Sequence, residues 1–259
     1  MAELVDPAAQ STTEDGFLGG RLRLRQPVTG HRAGHDAILL AASTRVRAGD
    51  RMVEFGTGVG AAGLAVACRV EGIVPVLVEI NPSLAALARD NARRNELATE
   101  IVCLDVTGPA EAFAAVGLGP DSADVVLMNP PFHDPARHRA SPDQARQTAH
   151  LATATTLDAW VHAARRLLKS GGTLTLIWRA DGLADVLAAL DRGFGSVVLQ
   201  PVHSHADKPA IRILVRATKG GRAPLLLIPN LLLNDPSGHP SPIARAVLAG
   251  EQILPLARS

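Results

Sequence analysis

Asn129-Pro130-Pro131-Phe132 carries more chemistry than any other tetrapeptide in this chain. Consecutive prolines fix the backbone torsions. They hold the Asn129 carboxamide and the Pro130 carbonyl in a set geometry. Two oxygen acceptors so placed can take both hydrogens of an exocyclic NH2 group. The nitrogen is then drawn toward a pyramidal shape, with its lone pair aimed at an electrophile. The gain comes from alignment and prepositioned dipoles, not from a strong base. Phe132 offers a ring on which a planar acceptor can stack. A nucleobase must leave its own stack to reach such a pocket.

The second constellation is Glu54-Phe55-Gly56-Thr57-Gly58-Val59-Gly60. Glycines permit a tight turn and close approach of a ligand to the backbone. A helix following the turn offers free N–H groups at its start. Gly56, Gly58 and Ala61 also fit the dinucleotide pattern G-x-G-x-x-A. Glu79 closes the next strand, where a carboxylate can accept from both hydroxyls of a ribose. Nicotinamide dinucleotide sites and S-adenosylmethionine sites share these features. Two acids favour S-adenosylmethionine. Glu54, two residues before Gly56, would crowd a pyrophosphate but suits an ammonium and a sulfonium. Asp105, just after the third strand, can accept from an adenine amino group. The competing reading of Glu79 or Asp105 is a helix cap or a solvated loop charge.

These turns need a frame, and the hydropathy pattern supplies one. Arg51 to Phe55, Val74 to Val78, Glu100 to Leu104, Ala123 to Met128, Thr173 to Trp178, Val197 to Val202 and Ile211 to Ala217 read as strands. Several are apolar throughout, as expected where both faces are covered. Helices are expected at 61–69, 82–95, 155–169 and around Leu183 to Leu190, with Gly171-Gly172 stopping the third. Alternation of this kind predicts an α/β doubly wound, mostly parallel, seven-stranded sheet, with ligands at the carboxyl ends of the strands. Ahead of it, residues 1–16 are expected to be frayed. Residues 17–48 read as an extension of hairpin and helix, 49–218 as the cofactor-binding domain, and 219–259 as a C-terminal appendage on that domain.

Composition bounds the rest. A length of 259 residues suits one or two domains, and 47% hydrophobic residues exclude disorder over most of the chain. The longest apolar run, Ala37 to Ala42, is far below the ~20 residues of a membrane span. The first residues lack a basic start and an apolar stretch, so no secretory signal is expected, and the reading is a soluble cytoplasmic protein. A net charge of +1 excludes coating of polyanions by bulk charge. Cys68 and Cys103 have no partner motif and read as core thiols.

With these residues in view, the chain resembles class I S-adenosylmethionine-dependent methyltransferases of the adenine-N6 type. More narrowly, it is similar to the bacterial tRNA1(Val) adenine N6-methyltransferases, which modify the adenine beside the anticodon. The likeness extends from about Phe17 onward. It rests on RLRLRQPVTGHRAGHDAILLAA, VEFGTGVG, LVEINPSLAALARDNARRN, NPPF and the later KGGRAPL and PSPIARAVL. It implies that Gly56, Gly58 and Gly60 line the cofactor's methionine portion, that Glu79 holds the ribose and Asp105 the adenine, and that Asp36 lies near the cofactor. Asn129, Pro130, Pro131 and Phe132 would hold the acceptor, with Asn129 also beside the cofactor. Glu54-Phe55 departs from the commoner Asp-Ile or Asp-Leu of that position. Acceptor identity stays open, because relatives with this motif also methylate guanine N2, a glutamine amide and adenine in DNA. A dehydrogenase using the same turn and a nonenzymatic RNA-binding module remain the rivals.

Arginine supplies nearly all the positive charge. Arg21, Arg23, Arg25 and Arg32 form a possible stripe for RNA phosphates. Arg137, Arg139 and Arg146 fall in a long polar loop after Phe132, which could close over the acceptor and grip a nucleic acid backbone. His203, His205 and Asp207 lack a further ligand, so no metal is expected.

Overall fold

The computed structural model describes residues 11–29, 32–131 and 142–258, with no side chains described for 142–154. The chain opens with an antiparallel hairpin of β1 (Thr12–Phe17) and β2 (Leu22–Pro27), closed through Leu18–Gly20. Residues 12–16, expected to be frayed, therefore form a strand. Their partners explain it. Glu14 faces Arg23 and Arg94, and Asp15 faces Arg32 and Gln26, so charge pairing across the hairpin takes the place of apolar alternation. β2 itself follows the expected period of two, with Leu22 and Leu24 buried and Arg23 and Arg25 exposed.

Helix α1 (His35–Ser43) leads into β3 (Arg51–Phe55), α2 (Ala61–Arg69), β4 (Val74–Glu79), α3 (Pro82–Arg94), β5 (Glu100–Cys103), α4 (Ala110–Ala115) and β6 (Ala123–Met128). Next come α5 (Pro142–Leu167), β7 (Leu168–Arg179), α6 (Leu183–Leu190), β8 (Phe194–His203) and β9 (Ala210–Lys219). The seven long strands run in the order β5-β4-β3-β6-β7-β9-β8. β3 to β7 are mutually parallel and β9 is antiparallel to both its neighbours. Strand order reverses at β3, so the crevice beyond Phe55, Glu79 and Met128 is where a ligand of such a sheet sits.

Alternation along each strand sorts the core into two layers. Met52, Leu77, Val125 and Leu127 pack with α1, α2 and α3 on one face. Val53, Phe55, Val78, Val126 and Met128 pack with α4, α5 and α6 on the other.

Three expectations change. The appendage adds β10 (Leu226–Leu227) and β11 (Leu231–Leu232) to β8, widening the sheet to nine strands among the described residues. The expected polar loop is helical from Pro142 onward, and that helix ends at Leu167, before Gly171-Gly172, which sit inside β7. Extra residues between the Ala123–Leu168 and Val125–Thr173 pairs bulge there, so the glycines shape a strand and do not stop a helix. Cys103 is exposed at the end of β5 and Cys68 is half-buried, so Cys103 is not a core thiol.

The last helix, α7 (Pro242–Leu248), and the tail beyond it return to the entrance of the chain. The Leu254 N–H donates to the Ala42 carbonyl, and Leu254 and Leu256 are fully buried. No helix among the described residues is long and apolar enough to cross a membrane.

Candidate functional site

β3 delivers its chain end into a turn in which Gly56, Gly58 and Gly60 all have positive φ, at 64°, 59° and 93°. Side chains rarely adopt this region. Gly56 is restricted a second way: a Cβ there would lie 2.4 Å from Cη2 of Trp160, whose indole on α5 presses against the turn. A Cβ on Gly58 would meet nothing within 4 Å, so the turn opens to free space at its middle. Backbone bonds fix the rest. The Thr57 N–H donates to Val78 at 3.0 Å, and the Gly60 N–H donates to Thr57 at 3.0 Å.

Glu54 lies beneath this turn, 4% exposed. Its Oε2 accepts from the Thr57 hydroxyl at 2.5 Å and from the Gly63 N–H at 2.8 Å. Gly63 is small for a reason, since a Cβ would come within 2.2 Å of Leu77 and 2.5 Å of that same oxygen. Burial pushes the Glu54 carboxyl up to about 7; the two hydrogen bonds pull it down, and the nearby Glu79 adds a smaller push. One oxygen of Glu54 is therefore committed to bracing the turn, a role its position in the motif does not reveal.

Glu79 ends β4 and is 6% exposed. Its Oε2 accepts from the Gly58 N–H at 2.7 Å and its Oε1 from the Asn81 N–H at 2.9 Å. A carboxylate offers about four lone-pair sites, so each oxygen keeps capacity for one hydroxyl. Asn81 in turn caps α3, accepting from Ser83 and Leu84. Asp105, beyond β5, is exposed, and its Oδ1 accepts from the Thr107 N–H at 2.8 Å and the Thr107 hydroxyl at 2.7 Å.

The parallel register places the acceptor motif. Phe55 pairs with Val78 on one side and with Met128 on the other. Asn129 thus falls one step beyond Met128, alongside Gly56, and neighbouring strands are about 4.8 Å apart. Asn129 is half-buried, and its Oδ1 is shut off from solvent without a hydrogen-bond partner among the described residues. A buried acceptor left unpaired costs about 1–3 kcal/mol. Pro130 is buried and Pro131 exposed. Phe132, Arg137 and Arg139 lie outside the described residues, and Arg146 falls on α5 among the side chains not described.

Asp36, in the first turn of α1, accepts from Nε of Arg212 on β9 at 2.8 Å. This ion pair ties the N-terminal extension to the far half of the sheet. The arginines of the expected stripe have protein partners. Arg21 donates to the carbonyls of Leu18, Ala249 and Gly250, so it staples the hairpin to the end of α7. Arg32 is paired with Asp15, Arg25 lies 3.5 Å from Asp90, and Arg23 is 3.8 Å from Glu14 with 71% of its side chain exposed.

Two residues that the sequence patterns did not single out also touch the turn. Trp160 was visible only as part of an apolar helical stripe, yet it contacts both Gly56 and Phe55. Asn91, fully buried on α3, donates to the Val59 carbonyl. The available signal was an asparagine in the middle of a helix, where its propensity is poor.

Sheet order, glycine turn and strand-end acids together define a nucleotide-cofactor site of the class I methyltransferase kind. The methyltransferase small domain family matches residues 35–201, and the chain belongs to that family. It is an S-adenosylmethionine-dependent methyltransferase. Among curated relatives, the tRNA1(Val) (adenine(37)-N6)-methyltransferase of Dickeya chrysanthemi is 28% identical over 74% of each chain. The protein of the same description from Serratia proteamaculans is 29% identical over 73% of this chain and 71% of its own. A crystal structure from Agrobacterium tumefaciens, described as a predicted O-methyltransferase, superposes with a TM-score of 0.70. It is 30% identical and covers 85% of this chain and 98% of its own.

The residues present fit the cofactor. The turn has room at Gly58, Glu79 retains acceptor capacity, and Asn129, one residue beyond the Phe55–Met128 pair, carries a buried oxygen without a partner among the described residues.

Proposed function

We propose that this methyltransferase acts on the exocyclic N6 amine of an adenine in tRNA. The observation that carries the reading is the Asn129 Oδ1, buried, without a partner among the described residues, on the residue just beyond the Phe55–Met128 pair that leads into the glycine turn. An oxygen in that state is a prepared acceptor, and an amino N–H would satisfy it. A hydroxyl acceptor has one hydrogen to give, whereas an amine supplies one for Asn129 and one for the Pro130 carbonyl. The relatives described as tRNA adenine-N6 enzymes support the same acceptor.

S-adenosylmethionine supplies an electrophilic methyl group. Gly56, Gly58 and Gly60 bring backbone close to its methionine portion, Glu79 takes the ribose hydroxyls, and Asp105 takes the adenine. Glu54 sets the turn from below, and Asp36 stands at the edge near the cofactor. Asn129 and Pro130 orient the acceptor amine, Pro131 stiffens the corner, and Phe132 stacks on the base. The amine turns acidic once alkylated, so its proton leaves to water without a dedicated base. Arg23, Arg25, Arg137 and Arg139 hold RNA phosphates, and the partner is tRNA.

The test is Asn129→Ala. Methyl incorporation into tRNA should fall to background while S-adenosylhomocysteine still binds. An unchanged rate removes the mechanism. Labelling of rRNA or protein fractions in place of tRNA would move the acceptor to a guanine N2 or a glutamine amide. Mass spectrometry of tRNA nucleosides from a deletion strain reads the base directly.

A further inference from the structure

Asn91 on α3 and Asn95, the residue that caps its C-terminus, stand one helical turn apart and face the edge of β2. The Arg25 N–H donates to Asn91 Oδ1 at 2.8 Å, and Asn91 Nδ2 donates back to the Arg25 carbonyl at 3.0 Å. The Arg23 N–H donates to Asn95 Oδ1 at 3.0 Å, and Asn95 Nδ2 donates back to the Arg23 carbonyl at 2.8 Å. Two carboxamides thus imitate an antiparallel strand, pairing alternate residues of β2 as a ladder would. A helix side spaced at i, i+4 and a strand spaced at i, i+2 match in length, about 6 Å against about 7 Å. The hairpin is docked on a helix without belonging to the large sheet.

The two asparagines differ in one respect. Asn91 Nδ2 also donates to the Val59 carbonyl at 2.9 Å, inside the glycine turn, whereas Asn95 donates to the carbonyl of Asn91 in its own helix. Val59 lies between Gly58, whose N–H is held by Glu79, and Gly60, which caps α2. Asn91 is fully buried, and its carboxamide has no remaining capacity for water at the donor end.

We propose that Asn91 is a positioning residue that couples docking of the N-terminal hairpin to the shape of the cofactor turn. Its side chain holds both at once, so ordering either one lowers the cost of ordering the other. Coupling of this kind is reciprocal: cofactor tightens the hairpin, and a docked hairpin tightens cofactor binding. The proposal rests on the reading that the glycine turn receives S-adenosylmethionine.

Titration with S-adenosylhomocysteine tests it in two arms. Asn91→Leu removes its hairpin bonds and the turn bond, while Asn95→Ala removes hairpin bonds and the bond to the Asn91 carbonyl but none to the turn. Asn91→Leu should weaken S-adenosylhomocysteine about tenfold, the scale of one buried hydrogen bond, and Asn95→Ala should leave it near the wild-type value. Both should lower the unfolding midpoint, so a merely structural role would not separate them. The second arm needs no variant: hydrogen exchange at the Arg23 and Arg25 amides of the wild type should slow when S-adenosylhomocysteine is added. Equal Kd changes in the two variants, or exchange at those amides indifferent to ligand, would overturn the coupling. Failure of the wild type to bind S-adenosylhomocysteine would instead overturn the underlying reading of the turn.

Discussion

Replacing Glu54 with glutamine separates the charge of this residue from its shape. In the folded chain its midpoint rises from the ordinary 4.5 to about 7, chiefly through burial. That displacement corresponds to about 3 kcal/mol of preference for the neutral carboxyl. A folded midpoint above the unfolded one means that the native state binds the proton more tightly. Its stabilising contribution is therefore complete below about pH 4.5 and is lost as pH rises through about 7. Glutamine has no proton to lose there, and its side-chain oxygen can still accept from Thr57 and the Gly63 N–H. Urea unfolding, followed through Trp160 and Trp178, should show the variant gaining about 2 to 3 kcal/mol relative to wild type between about pH 5 and pH 8. Every other titrating group is common to both proteins and cancels. Parallel pH profiles for the two chains would refute the claim that burial raises the midpoint of this acid.

Two further substitutions address the geometry around the turn. Gly56→Ala meets both a φ of 64° and the indole of Trp160, so S-adenosylhomocysteine binding should be lost and the unfolding midpoint should drop by several degrees, read by calorimetry. Arg21→Ala removes the staple to Ala249 and Gly250, and denaturant titration should show a loss of about 1–2 kcal/mol with tRNA affinity on filters unchanged. A fall in tRNA affinity matching that of an Arg23→Ala, Arg25→Ala double variant would restore Arg21 to the RNA surface.

The strands of the large sheet were legible because burial on both faces leaves continuous apolar runs such as Val125 to Met128. β1 was not, because nothing in TTEDGF alternates; it is a strand through charges carried by β2, α3 and the segment beyond β2. The first half of α5 escaped for a similar reason, being too polar to show a stripe. At the site, Glu54, Glu79 and Asn129 were readable as strand-end residues, since the strand pattern fixes where each chain emerges. Their partners were not. Glu79 reaches back to Gly58, and Asn91 reaches from α3 to both Val59 and Arg25. Contacts of that separation depend on how layers stack, and local periodicity says nothing of it. The exposed Cys103 makes the same point in reverse: apolar neighbours along the chain did not place it in the core.

The staple between Arg21 and the Gly250 carbonyl spans 229 positions of sequence. During synthesis at 5–20 residues per second that interval amounts to roughly 10 to 45 s. Throughout it, the Arg21 guanidinium can reach the Leu18 carbonyl but not those of Ala249 and Gly250, and α1 lacks the backbone bond from Leu254. The staple between the hairpin and α7 thus closes only after Gly250 has been made, and α1 gains its bond from Leu254 later still.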